Sequence, residues 1–195
     1  VTLNTTAMVR SILRVYRSAT AEQFDAGMAW YSDAHGIASD FASVHGVTVE
    51  VSAGVIAALS PMQSYGANLN MARRFLASAG TLDSGYLGDN LAKARAIYNG
   101  ADIPVTLNGD KTRNFYASIL SAGVDGVTID RHAYCIAVNR RVKSVSLTRK
   151  QYAQVASAYD RAAFLAGVTP AQIQAVTWVV WRQRYWAKGA FDPKA

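Results

Sequence analysis

Apolar residues recur every three or four positions along almost the whole 195-residue chain, and alternation of period two is nearly absent. That pattern buries one stripe of a helix and leaves no face for a sheet, so the fold class it predicts is all-α. Met8, Ile12, Leu13 and Tyr16 mark a first amphipathic helix. Phe24, Met28, Tyr31 and His35 mark a second, started at Thr20 with Glu22 and Gln23 behind it. Val49 to Leu59 is apolar almost all round and reads as a buried central helix. Gln63 to Ala79 reads as a further helix entered through Ser60 and Pro61. Asn90 to Tyr98 ends at Asn99 and Gly100. Lys111 to Leu120 follows the turn-forming Asn108, Gly109 and Asp110, and Asp130 to Val138 follows the loop Gly123 to Gly126. Tyr152 to Leu165 and Pro170 to Trp186 complete the set, and Ile103 to Leu107 reads equally as a short extended piece. With 51% apolar and 17% charged residues the chain has material for a sizeable core. No internal repeat, low-complexity run or long linker interrupts it.

Twenty Lys and Arg against thirteen Asp and Glu give a net charge of +7 and a pI near 9.7. Such a balance suits a polyanionic partner, nucleic acid first among them, although many basic proteins bind none. Arg140, Arg141, Lys143, Arg149 and Lys150 form one cluster, and Arg182, Arg184, Lys188 and Lys194 a second. Each reads either as a solvated surface or as a side facing phosphates. The lone Cys135 cannot form an internal disulfide, and it excludes a four-cysteine iron–sulfur cluster and a cysteine-rich zinc site. His132 has no second histidine near it in sequence, His35 and His45 belong to another helix, and no metal or cofactor is expected. The longest apolar run, Gly54 to Leu59, is far short of the ~20 residues of a spanning helix. The first residues do not read as a secretory signal, so the expectation is a cytoplasmic, monomeric protein of a bacterial or phage-infected cell with no membrane partner.

Three pieces stand in a fixed order: Val55-Ile-Ala-Ala-Leu-Ser-Pro-Met-Gln63, running on into Asn68 to Phe75; Leu107-Asn-Gly-Asp-Lys-Thr-Arg-Asn-Phe-Tyr116; and Val127-Thr-Ile-Asp-Arg-His-Ala-Tyr-Cys-Ile-Ala-Val-Asn-Arg140. Together they resemble the helix-hairpin-helix DNA glycosylase superfamily, the group that includes endonuclease III, over roughly Val49 to Arg141. The second piece resembles the hairpin, whose form is Leu-Pro-Gly-Val-Gly-Arg-Lys-Thr-Ala-Asn. The third resembles Val-Asp-Thr-His-Val followed by Arg-Val and Asn-Arg, and the first the Leu-Leu-Ser-Ala-Gln segment. Against Leu-Pro-Gly-Val-Gly this chain reads Val105-Thr-Leu-Asn-Gly109, keeping one glycine, with Leu107 where the family has the other. It also has Arg131 where the family has Thr, and it lacks the dispensable iron–sulfur module. Ile-Asp-Arg-His-Ala looks like a divergent, phage-type branch.

The resemblance implies one glycosylase-like domain over residues 1–195, built from two interleaved helical lobes. The hairpin and catalytic region would span about 100–141, and double-stranded DNA would lie in the cleft between lobes. It places Lys111 on the family's catalytic lysine and Asp130, nineteen residues on, on its catalytic aspartate. In that pattern the lysine amine attacks the anomeric carbon of a flipped nucleotide and expels the base, and the resulting Schiff base permits an AP-lyase step. The carboxylate assists deprotonation of the amine or stabilises the positive sugar. Gln63 falls on the DNA-inserting glutamine. Asn108, Gly109, Thr112, Arg113, Arg131 and His132 join it as DNA-binding candidates, and Ser60, Tyr116, Trp178 and Arg182 as candidates for the base pocket.

By themselves these residues also have plainer readings. Lys111 suits a solvated surface, though the first turn of a helix disfavours a cation. Asp130 suits an N-cap, and tryptophans at helical spacing, Trp178, Trp181 and Trp186, suit core anchors as well as a stacking face. Phe115 and Tyr116 share that ambiguity. Three functions are therefore open: a DNA glycosylase, with or without lyase activity; a transferase building a phage hypermodified base on the same fold; and a non-catalytic DNA-binding protein. The pairing of Lys111 with Asp130 favours an enzyme.

Overall fold

A computed structural model describes residues 3–186. Ten helices and no strand occur among them: α1 Thr5–Arg17, α2 Ala21–His45, α3 Val49–Ala58, α4 Tyr65–Ala77, α5 Gly88–Tyr98, α6 Ile103–Thr106, α7 Asp110–Leu120, α8 Arg131–Val138, α9 Arg149–Ala166 and α10 Pro170–Trp186. The all-α expectation holds. Helix starts follow local chemistry. Thr20 and Gln23 exchange hydrogen bonds ahead of α2, and Thr148 and Gln151 close a capping box on α9. Asn4, Thr48, Ser64 and Asp130 each accept an amide of the first turn of α1, α3, α4 and α8.

The described residues form two compact units, 3–31 with 123–186 and 32–122. In the first unit α1 packs on α8 and α9, and α10 on α1, α8 and α9. Its core contains Ile12, Ile136, Val155, Tyr159 and Ile173, all fully buried. Two polar contacts fix the packing. Ser11 donates to the Ile136 carbonyl at 2.6 Å and Tyr159 to the Ala133 carbonyl at 3.0 Å, and burial pushes the Tyr159 hydroxyl's pKa far up, so it stays a donor. Gly27 on α2 is a point of close approach, because a Cβ there would lie 2.4 Å from Val176 Cα. Cys135 is wholly buried and its sulfur accepts from the Val142 amide at 3.3 Å.

In the second unit α3 is the central helix, packed by α4, α5 and α7, with residues Ser52 to Ala58 buried. Helix bounds here differ from the sequence expectation by one or two residues, with α4 at Tyr65–Ala77 against Gln63 to Ala79 and α5 starting at Gly88 against Asn90. The fourth helix starts at Tyr65, because Ser64 caps it and Met62 adopts a left-handed φ of 61° that no helix can contain. Pro61 and Gln63 therefore lie in a turn ahead of the helix. The stretch expected to be helical or extended forms a single helical turn, Ile103–Thr106, capped by Asp102 and ended at Leu107, because Pro104 at the start of a helix forfeits an amide that would have no partner there.

Candidate functional site

The hairpin belongs to the second unit. One turn of α6 runs through Leu107, Asn108 and Gly109 into α7, and Gly109 is the N-cap with no side chain bonded over the first turn. Leu107 is fully buried; burying such a side chain is worth about 1.5–3 kcal/mol. The side chain standing where the family has glycine thus fills the core and does not obstruct the outer face of the turn. Gly109 has φ −93° and ψ 136°, open to any residue, and a Cβ there would meet Thr112 Oγ1 at an ordinary 3.4 Å. Nothing inside the protein requires glycine at this position.

Lys111 is exposed in the first turn of α7. Its neighbours are committed within the protein. The Thr112 hydroxyl donates to the Leu107 carbonyl at 2.8 Å, Asn108 Oδ1 accepts from Lys93 at 3.0 Å, and Arg113 pairs with Asp110 at 2.7 Å. Of the candidates for DNA contact in this segment, Thr112 holds the turn and Arg113 is paired with Asp110 of its own helix. Ser60 donates back to the Ala57 carbonyl at 2.9 Å and ends α3. Tyr116 is partly buried, and burial with Glu50 and Asp102 nearby raises its hydroxyl pKa. Gln63 is partly exposed, and the residue beside it, which sequence reasoning missed, is the prominent one: Met62 is 92% exposed on the turn.

Asp130 lies in the first unit, at the head of α8. One carboxylate oxygen accepts the Ala133 amide at 2.7 Å and the other accepts from the Trp178 indole at 3.2 Å. The approach to it is fixed as well: the Tyr152 hydroxyl donates to the Val127 carbonyl at 2.9 Å and accepts the Ile129 amide at 3.0 Å. Around the carboxylate, Arg182 stands over the Trp178 ring, 4.7 Å from its centroid, and His132 and Trp30 each meet that ring edge-on at 6.2 Å. Burial lowers the Arg182 pKa, Asp130 opposes the lowering and Arg131 adds to it. Behind this cluster Tyr31 donates to Gln174 at 3.0 Å and stands 3.3 Å from the Thr128 hydroxyl. Four sequence candidates, Asp130, His132, Trp178 and Arg182, thus meet in one cluster. His132 is buried in its wall, so it is not a surface contact for phosphate. Arg131 donates to the Lys143 carbonyl at 2.9 Å. Trp30 and Tyr152 were missed because their partners are far away in sequence.

The charge divides sharply between the units. Among the described residues the first carries twelve Lys and Arg against five Asp and Glu, and the second six against seven. The excess positive charge therefore belongs to the unit that holds Asp130. Lys188 and Lys194 fall outside the described residues, as does the Trp186 side chain. No single described helix is long and apolar enough to cross a membrane.

What the fold and this site define is an all-helical protein whose basic unit holds a hydrogen-bonded carboxylate among aromatic rings and an arginine. The chain belongs to a family of unknown function, DUF7178, whose model matches residues 1–185. No curated protein and no solved structure matches it.

Proposed function

We propose that the protein is a DNA-binding enzyme of the helix-hairpin-helix glycosylase type that flips a modified or damaged base and cleaves its glycosidic bond. The observation that carries this reading is the Asp130 carboxylate, held by a helix amide and an indole beside a Trp–Arg pair, on the unit that bears the surplus positive charge. A fixed carboxylate stabilises a sugar that becomes positive as its base departs, and it does so without reorganising in the transition state. The aromatic and cationic faces beside it suit a planar base.

Lys111 supplies the nucleophile. Its neutral amine forms a bond to the anomeric carbon as the C–N bond to the base breaks, and the base leaves with the electron pair and takes up a proton. The uncapped start of α7, with no internal demand for Gly109, suits the close approach of a phosphate to backbone amides. The test is incubation with duplexes carrying a panel of altered bases, followed by borohydride, which reduces the Schiff base to a stable amine. A covalent protein–DNA adduct that maps to Lys111 is expected. Absence of any adduct or base release across the panel, with DNA still bound, would overturn the reading in favour of a non-catalytic binder.

A further inference from the structure

The basic unit bears cations that the chemistry above does not use. Arg10, Arg14 and Arg17 are spaced i, i+4 and i+7 on α1, so they share one stripe, and all three are exposed. The opposite face of α1, through Met8, Ile12 and Val15, is core. Arg10 and Arg14 line a groove of about 570 Å³ whose other side includes Ala137, Val138 and Asn139 at the end of α8. From there the chain enters the connection to α9. In that connection Val142, Val145 and Leu147 pack inward, while Arg140, Lys143, Arg149 and Lys150 are exposed.

No acidic residue occurs in 1–21 or in 131–159, and none of these seven cations has a carboxylate partner among the described residues. Arg149 and Lys150 even occupy the first turn of α9, where the helix dipole disfavours cations. Seven uncompensated charges within one unit are unfavourable for the protein alone and favourable against a polyanion.

We infer that this surface, the arginine stripe of α1 with the α8–α9 connection, is a track for the sugar–phosphate backbone of duplex DNA. The inference shares the DNA partner with the function proposed above and adds where most of the binding free energy arises. Arg10 to Arg17 spans about 10 Å of helix axis at ~1.5 Å per residue. A duplex presents roughly six phosphates over that length, at about one charge per 1.7 Å. An extended polyanion therefore fits the stripe better than a single small anion. A lipid surface fits less well: among the described residues the exposed large apolar side chains, Val44, Met62, Leu87, Val105, Val124, Phe164, Leu165 and Tyr185, include none from α1 or the connection, so this surface itself presents no described apolar anchor.

The experiment is fluorescence anisotropy with a labelled duplex across a salt series. It compares the unmodified chain with Arg10→Gln/Arg14→Gln/Arg17→Gln, with Arg140→Gln/Arg149→Gln/Lys150→Gln, and with the control Arg73→Gln/Arg74→Gln on α4. Every phosphate that a cation no longer neutralises takes about 0.9 from the slope of log K against log salt, so each triple variant should shallow the slope by about two to three and the control should leave it unchanged. Arg→Lys replacement at the three α1 positions should keep the slope, and circular dichroism should show unaltered helix in every variant. Equal losses from the control and the triples would overturn the track, as would a slope indifferent to both triples. Binding to phosphatidylserine vesicles without binding to duplex would overturn it in favour of a membrane. Borohydride trapping separates the two proposals. An adduct with unaltered slopes defeats the track alone, and altered slopes with no adduct on any base defeat the glycosylase reading alone.

Discussion

Asp130→Asn separates a structural from a chemical role, because the two oxygens of this carboxylate have different partners. Oδ1 caps α8 through the Ala133 amide at 2.7 Å, and Oδ2 accepts from the Trp178 indole at 3.2 Å. Asparagine has a single oxygen. If that oxygen keeps the cap, which Asn fills about as well as Asp, its NH₂ group faces the indole N–H, donor against donor. Hydrogen bonds to a charged group contribute about 1.5–3 kcal/mol, and partial exposure of Asp130 reduces this, so the expected destabilisation is about 1–2 kcal/mol. Urea denaturation followed by far-UV circular dichroism measures it. Single-turnover trapping with borohydride then measures the chemistry, where loss of the negative charge should slow adduct formation by a factor on the order of 10² or more. The stability change is too small to depopulate the folded state, so a large rate loss would be chemical. Unchanged trapping would remove Asp130 from the mechanism. Unchanged stability would mean that the indole contact contributes nothing.

Lys111→Ala should abolish borohydride trapping while duplex affinity, read by anisotropy, changes little, since one exposed cation among many is removed. Tyr152→Phe deprives the buried Ile129 amide of its acceptor and should cost about 1–3 kcal/mol in urea denaturation; stability within ~0.3 kcal/mol of the parent would refute the clamp. Gly27→Ala gains about 1 kcal/mol of helix propensity, but its Cβ would meet Val176 Cα at 2.4 Å, so a lower melting temperature is expected and a rise would refute the close approach. Burial raises the Asp160 carboxyl pKa; its charged form is disfavoured in the folded state, so stability is lost as pH rises through that pKa. Asp160→Asn should therefore melt higher than the parent at neutral pH and equal it below about pH 3, where both forms are neutral.

Much of the helical framework was legible because its determinants are local. The pair Thr20 with Gln23 and the Asp130 cap act over three residues, and a stripe of apolar side chains repeats within two turns, although the equally local box of Thr148 with Gln151 was overlooked and α9 was started three residues late, at Tyr152. Trp178 and Arg182, one turn apart, were readable as one surface for the same reason. Local rules misplaced the start of α4, where Pro61 suggested a helix and the left-handed Met62 prevented one. Everything that joins distant residues was decided by packing. Trp178 reaches Asp130 across 48 positions because α10 lies on α8, and Tyr152 reaches Ile129 across 23 from α9. Leu107 is inward-facing only because the second unit has a core to receive it. Net charge was a property of the sequence, but its confinement to one unit was not, since that unit is assembled from the two ends of the chain. A hydrogen bond within one helical turn needs only the backbone of that turn, whereas a contact across tens of residues exists only after the helices carrying it have packed.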